Sequence, residues 1–235
     1  MSVMEIDLNA DLGEGAGTDA ELMPLLTSAN VSCGFHAGDP DGVRETLALA
    51  AARGVAVGAH PGYPDREHFG RRDHDLTDRQ LGTLLFYQLG ALQGLARAAG
   101  VPVRYVKPHG ALYNQACRDA RVAKPVAAAA FLSGLAVVGL PGSELEAAAR
   151  VVGVRFVAEG FADRRYRPDG SLVPRSDPGA FVDDPGEAVA QVEWLIREKG
   201  VRTVCVHGDN PEAVAFVGAV RDVLLARGLT LKAFA

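Results

Sequence analysis

Asp7, Asn9 and Asp11 recur at every second position of an otherwise apolar run, opposite Ile6, Leu8 and Ala10. A two-residue period is that of a β-strand, so the three polar side chains share one face. On an outer strand that face would simply be solvated. In a parallel barrel, where helices cover the outside, it points inward, and buried carboxylates then need hydrogen bonds, a cation or a ligand. Val106-Lys107-Pro108-His109-Gly110 repeats the alternation with the opposite charge. Lys107 is a natural counter-ion for the Asp7/Asp11 row, either as a structural ion pair or as a substrate contact. His36, in Cys33-Gly34-Phe35-His36-Ala37-Gly38, and His60, in Gly58-Ala59-His60-Pro61-Gly62, sit among glycines, where backbone can approach a ligand closely. His207 stands before Gly208-Asp209-Asn210-Pro211, where Asn210 can cap a helix alone and leave Asp209 for another task. A lone histidine is more often structural. Four at strand ends point to acid, base or metal-ligand work near neutral pH. His68 and His74, in a charged loop, are expected to face solvent. No H-x-x-x-H or H-E-x-x-H spacing occurs, so the metal signal is weak.

Two arginine-bearing loops complete the set. Phe69-Gly70-Arg71-Arg72 follows the third expected strand, and the stretch 160–184 carries Asp163-Arg164-Arg165-Tyr166 and Arg175. A loop that long in a folded domain is a lid, a binding element or disordered. Its arginines can fork onto a carboxylate or phosphate, or remain solvated surface charge. There is no G-x-x-x-x-G-K-[ST], and Gly13-Glu14-Gly15-Ala16-Gly17 is not a dinucleotide fingerprint. A nucleotide would find no recognisable cradle in this chain.

The elements that must hold these groups alternate. Strands are expected at 4–10, 29–33, 55–59, 103–106, 135–140, 155–158 and 203–206, and helices at 19–26, 40–53, 77–99, 119–132, 143–152, 185–199 and 211–227. Asp39-Pro40 and Asn210-Pro211 read as N-cap and first-turn proline, while Gly54, Gly100, Gly200 and Gly228 fall where helices should stop. The tail, 229–234, is an eighth strand or a closing segment. Strands alternating with helices imply a mainly parallel sheet. Polar residues at the C-terminal ends of most strands, Glu159 among them, favour a closed TIM-like α/β barrel of seven strands over an open sheet with one switch point.

Composition agrees. With 48% hydrophobic and 23% charged residues, the 235-residue chain is neither disordered nor a disulfide scaffold. At this length a folded chain buries roughly 70–75% of its unfolded surface, enough to need no metal or disulfide staple. No linker or charge block divides 1–235, which is expected to be a single domain. A net charge of −5 argues against nucleic-acid binding, though a local arginine cluster could still take an anion. The start has no basic or apolar signal-peptide region. The apolar stretch 126–140 is split by Ser133-Gly134 and too short to span a bilayer. Cys33, Cys117 and Cys205 are sparse and odd in number, as expected for packing thiols in a reducing cytoplasm.

Seven blocks then match a known pattern in order: Asp7-Leu8-Asn9-Ala10-Asp11-Leu12-Gly13-Glu14; Ser28-Ala29-Asn30 through Cys33-Gly34-Phe35-His36-Ala37-Gly38-Asp39; Gly58-Ala59-His60-Pro61; Phe69-Gly70-Arg71-Arg72; Lys107-Pro108-His109-Gly110-Ala111-Leu112-Tyr113-Asn114; Phe161-Ala162-Asp163-Arg164; and Val206-His207-Gly208-Asp209. Together they resemble the LamB/YcsF family over essentially the whole chain. The loop after Glu14 is shorter than usual there, and Ala10 and Ser32 stand where cysteine and alanine are commoner. The resemblance implies a seven-stranded β/α barrel related to glycoside hydrolases and polysaccharide deacetylases. It also implies the A subunit of an ATP-dependent 5-oxoprolinase, which works with the B and C subunits to convert 5-oxo-L-proline to L-glutamate. ATP would be the co-substrate, with a divalent metal such as Mg²⁺ possible beside it. On that reading residue type and place put Asp11, His36, His109 and His207 in acid–base roles. Asn9, His60, Arg72, Lys107, Glu159 and Arg164 would position substrate. The rival readings are a metal-dependent deacetylase-like hydrolase and a non-catalytic binding subunit.

Overall fold

The structure, a computed structural model, describes residues 4–206 and 213–235. His207, Asp209 and Asn210 lie outside the described residues, as does the expected start of the last helix. Among the described residues, seven strands pair in parallel in chain order: β1 (Glu5–Leu12), β2 (Ser28–Ser32), β3 (Ala56–His60), β4 (Val103–Val106), β5 (Ala136–Gly139), β6 (Phe156–Phe161) and β7 (Thr203–Cys205). The ring closes on β1, which sets Asn9 beside Ser28 of β2 and Asp7 beside Thr203 of β7. This is the closed seven-stranded TIM-like α/β barrel. The tail contributes a two-residue β8 (Thr230–Leu231) alongside the start of β1, an addition to the ring rather than an eighth stave.

Helices cover the ring: α1 (Asp19–Leu22), α2 (Pro40–Arg53), α3 (Asp78–Ala98), α4 (Gly110–Arg118), α5 (Ala120–Leu132), α6 (Glu144–Val152), α7 (Pro185–Lys199) and α8 (Ala213–Ala226). Their ends follow the expected punctuation. The Asp39 carboxylate accepts the backbone N–H groups of Asp41 and Gly42, and Thr77 forms a reciprocal cap with Gln80. The sequence reading missed α4. It opens on Gly110, four residues past the end of β4 at Val106, and two helices therefore follow that strand. Outward residues of the strands, such as Ile6, Leu8, Val57 and Val204, are buried against Leu22, Leu47, Leu89 and Val192 of the helices.

The barrel interior has two characters. At its N-terminal end Tyr105, Val138 and Val157 form an apolar plug, and Phe234 of the tail packs on Tyr105 with ring centroids 4.9 Å apart. Gly58 permits this: a Cβ there would lie 2.0 Å from the Tyr105 ring. Above the plug the inward side chains are polar. Two strands run longer than expected, and this matters to the site. β1 continues to Leu12, which makes Asp11 part of the wall, and β6 continues to Phe161, which puts Glu159 inside the barrel rather than beyond it.

Candidate active site at the barrel mouth

The inward row of β1 is held by side chains from around the barrel interior. Asp7, 1% exposed, accepts hydrogen bonds from Thr27 and Ser28 at 2.6 Å each and from Thr203. One level up, the Asn9 amide donates to Thr203 at 2.6 Å and to Glu159 at 3.2 Å, and Asn30 donates to Asn9 and Asp11 at 2.7 and 2.8 Å. Lys107 threads the centre. Its ammonium lies 3.0 Å from Asp11, 3.1 Å from Glu159 and 3.0 Å from the Cys205 sulfur. Burial alone would pull Lys107 down, but the Asp11, Cys205 and Glu159 contacts hold its pKa well above the usual range. Lys107 is thus the anticipated counter-ion for Asp11, and also for Glu159, whereas Asp7 is held by hydroxyls instead.

Asp7 supplies a test of this interior. Burial raises its pKa from 3.8 to about 6, against the hydrogen bonds from Ser28, Thr203 and Thr27. Between those values the folded chain binds more protons than the unfolded one, so the Asp7 contribution to stability falls as pH rises through that window. Asp7→Asn is therefore expected to melt above the parent protein at pH above about 7, by about 1–3 kcal/mol, and to lose that advantage near pH 4. Melting temperatures of the pair across that range check it. An advantage that does not change with pH would exclude Asp7 titration as its cause.

At the C-terminal rim three histidines meet one carboxylate. His60 Nδ1 donates to the Lys107 carbonyl at 2.7 Å, and His109 Nε2 donates to the Phe69 carbonyl at 2.8 Å. Carbonyls only accept, so both tautomers are set. The other nitrogens, His60 Nε2 and His109 Nδ1, face each other at 2.9 Å. Glu14 Oε1 lies 3.8 and 3.3 Å from them and 2.9 Å from His36 Nε2. Asp11 Oδ2 is 3.3 Å from His60 Nε2. The donor atoms of Glu14, His36, His60 and His109 all lie within 4.8 Å of one another. Gly70, at φ 64°, makes the crowding possible: a Cβ there would come within 2.8 Å of His36 and 3.0 Å of His109.

Their electrostatics diverge. Burial would raise Glu14, yet the His109 and His36 imidazoles beside it hold it well below the carboxylate range. Burial lowers His36 to about 4 and also lowers His109. His60 is pulled down by burial too, but the Asp11 and Glu14 charges raise it above its ordinary value. Opposed shifts within one cluster are what acid–base chemistry at a single pH requires.

A pocket of about 680 Å³ opens over this rim. Asp11, Glu14, His60, Lys107 and His109 lie at its base. His36 is stacked flat on His109, 3.8 Å between ring centroids, and is 1% exposed. Arg71 lines the wall, whereas its neighbour Arg72, expected as the substrate contact, is exposed and acts on Asp65. Arg164 does line the pocket. It is 5% exposed, with its Nη2 donating to the Val173 carbonyl and its Nε unpartnered. Burial and the charge of Arg175 lower it to about 10, and both guanidiniums flank the Phe181 ring. The 160–184 stretch is thus a structured flap. Antiparallel bridges join Arg164 to Phe181 and Tyr166 to Leu172, and Gln191 of α7 pins it at the Phe161 and Arg164 carbonyls.

Several expectations need amendment. Glu159 and Asn9, expected to position substrate, are buried in the wall, and both contact Lys107, which lines the pocket. His68 and His74 are half-buried, His68 on Asp65 and His74 against Tyr63. Glu14 was missed as a site residue, although its place between two glycines directly after the Asp7/Asn9/Asp11 row was a readable signal.

A closed parallel barrel with carboxylates, imidazoles and an ammonium gathered at its C-terminal mouth defines the class as a β/α-barrel protein with a polar pocket at the strand ends. The model of the LamB/YcsF family matches residues 6–235, and the chain belongs to that family. It is 50% identical to the 5-oxoprolinase A subunit of Methylococcus capsulatus, over 97% of this chain and 95% of that one. It is 51% identical to the 5-oxoprolinase A subunit of Paracidovorax citrulli, over 99% and 100%. The crystal structure of a lactam utilization protein from Thermus thermophilus superposes with a TM-score of 0.90 at 44% identity, covering 98% of this chain and 100% of that one.

Proposed function

We propose that this chain is the lactam-binding and lactam-opening subunit of an ATP-dependent 5-oxoprolinase, working in the cytoplasm with two partner subunits. The observation that carries the reading is the pocket itself. Asp11 is held between Lys107 and His60 at its base, and Arg71 and Arg164 stand on its wall. That arrangement suits a small anion whose reacting carbonyl sits over a carboxylate–imidazole set. The names of the relatives, two 5-oxoprolinase A subunits and a lactam utilization protein, support the same choice.

The chemistry explains the need for ATP. A lactam carbonyl is deactivated by its own nitrogen; transfer of the γ-phosphoryl group to the oxygen breaks that resonance. Water then adds at the activated carbon, and the C–N bond breaks with protonation of nitrogen. The resulting acyl phosphate takes a second water to give glutamate and phosphate. In this scheme the partners transfer the phosphoryl group. Arg71 and Arg164 hold the substrate carboxylate by charge-assisted hydrogen bonds. Asp11 orients the attacking water, with Lys107 fixing its other oxygen. His60 and His109, linked at 2.9 Å, hold or pass the proton. His36 fixes the His109 ring by stacking and the Glu14 oxygen by hydrogen bonding.

The pure chain is expected to form neither ADP nor glutamate from ATP and 5-oxoproline, because it carries no phosphate-binding loop. Adding the two partner subunits should make ADP and glutamate appear together. Glutamate production by the chain alone would refute the division of labour. A complex with undiminished turnover after changes at Asp11 and His109 would make this barrel a binding subunit.

A further inference from the structure

The rim cluster contains an unsolved pairing. With their N–H groups committed to the Lys107 and Phe69 carbonyls, neutral His60 and His109 present two bare lone pairs to each other at 2.9 Å. A third, from Glu14 Oε1, converges on the same point at 3.3 Å from one and 3.8 Å from the other. A proton on His60 Nε2 would bridge to His109 and is favoured by the Asp11 and Glu14 charges, but it cannot point at all three lone pairs at once. One cation would relieve all three.

We propose that Glu14 Oε1, His60 Nε2 and His109 Nδ1 bind one divalent transition-metal ion of the Zn²⁺ type. Metal–ligand bonds of about 2.0–2.1 Å in a tetrahedral site put the ligand atoms about 3.3 Å apart, and the three observed separations, 2.9, 3.3 and 3.8 Å, bracket that spacing. Two imidazoles and one carboxylate favour zinc or its neighbours over Mg²⁺ or Ca²⁺, which take all-oxygen sets. Three protein ligands leave a fourth position, and all three residues line the pocket, so that position is open to water or substrate. The supports are those of a built site. Each imidazole is oriented by a backbone carbonyl on its other nitrogen, and His36 Nε2 donates to the Glu14 oxygen at 2.9 Å. Charge agrees as well. In the hydrogen-bonded set, Asp11, Glu14 and Glu159 place three carboxylates against the single ammonium of Lys107. An ion here would polarise the oxygen at its open position. With the ion bound, His60 and His109 hold it in place of the proton that the reading above gives them; the catalytic use rests on that reading, the binding does not.

The test uses the full chain freed of metal by chelator, with Zn²⁺ followed by calorimetry and Co²⁺ by visible absorption. The wild-type protein is expected to take up about one equivalent, to melt higher with metal, and to show cobalt d–d bands without thiolate-to-cobalt charge transfer. Glu14→Gln, which keeps the shape and the acceptor for His36, and His60→Gln should each weaken binding at least about a hundredfold, while His68→Asn should not. Circular dichroism confirms that each variant is folded, and Glu14→Gln carries the test should His60→Gln fail to fold. Absence of stoichiometric binding to the folded wild-type chain overturns the proposal. So does binding indifferent to Glu14→Gln, or a cobalt spectrum showing cysteine ligands. Because binding is read without turnover, a chain that holds metal but never supports 5-oxoproline cleavage would retain the site and sink only the functional reading.

Discussion

Asp11→Asn is expected to lower glutamate release by the assembled complex at least about a hundredfold, the usual scale of general acid–base assistance. The substitution keeps size, so Asn30 and Lys107 still find an oxygen to bond. What disappears is the negative charge 3.3 Å from His60 Nε2 and the carboxylate that orients water at the base of the pocket. The loss should therefore fall on kcat more than on KM. His109→Ala should cost as much, but divided between the two parameters, because it removes the partner of His60 and the surface on which His36 stacks. Steady-state kinetics with melting curves on the same samples separate chemistry from folding. Normal melting with near-parental turnover in both variants would remove these residues from the mechanism.

Lys107→Met should produce the largest loss of stability, about 3–5 kcal/mol, as expected when one member of a buried charged set is removed. Methionine fills nearly the same volume, so the loss reports charge rather than a cavity. Lys107 is 2% exposed, and without it Asp11 and Glu159 lose the cation they share in the barrel interior. Neutralising those partners should recover much of the loss. The triple variant with Asp11→Asn and Glu159→Gln is expected to unfold at a higher urea concentration than Lys107→Met alone. Equal unfolding midpoints for the single and triple variants would show that the ion pairs are not what Lys107 contributes.

Much of this protein was legible one residue at a time. The alternation of Asp7, Asn9 and Asp11 with Ile6, Leu8 and Ala10 is a local property of an extended chain, and the barrel keeps it: the first set bonds across the interior, the second packs under helices. The caps at Asp39 and Gly54 were readable for the same reason, since a helix end is satisfied within four residues. Strand ends were less legible. Extending β1 and β6 depends on which neighbours supply ladder bonds, so the placement of Glu159 inside the wall could not be read from its own segment. The helix at Gly110–Arg118 was hidden similarly, because its glycine start carries no capping signal.

The amino-acid order by itself determined the seven-fold strand–helix rhythm, the polar inner face of the first strand and the identity of its counter-ion, because each follows from a period of two or from complementary charge. The tertiary structure alone decided that Arg71 rather than Arg72 faces the pocket, and that His36 braces the site from beneath His109. It alone brought Glu14, His60 and His109 to a common point. Those three residues come from three separate strand ends, 46 and 49 positions apart in the chain. No short spacing motif can encode a point that exists only where a closed ring of strands makes its loops converge.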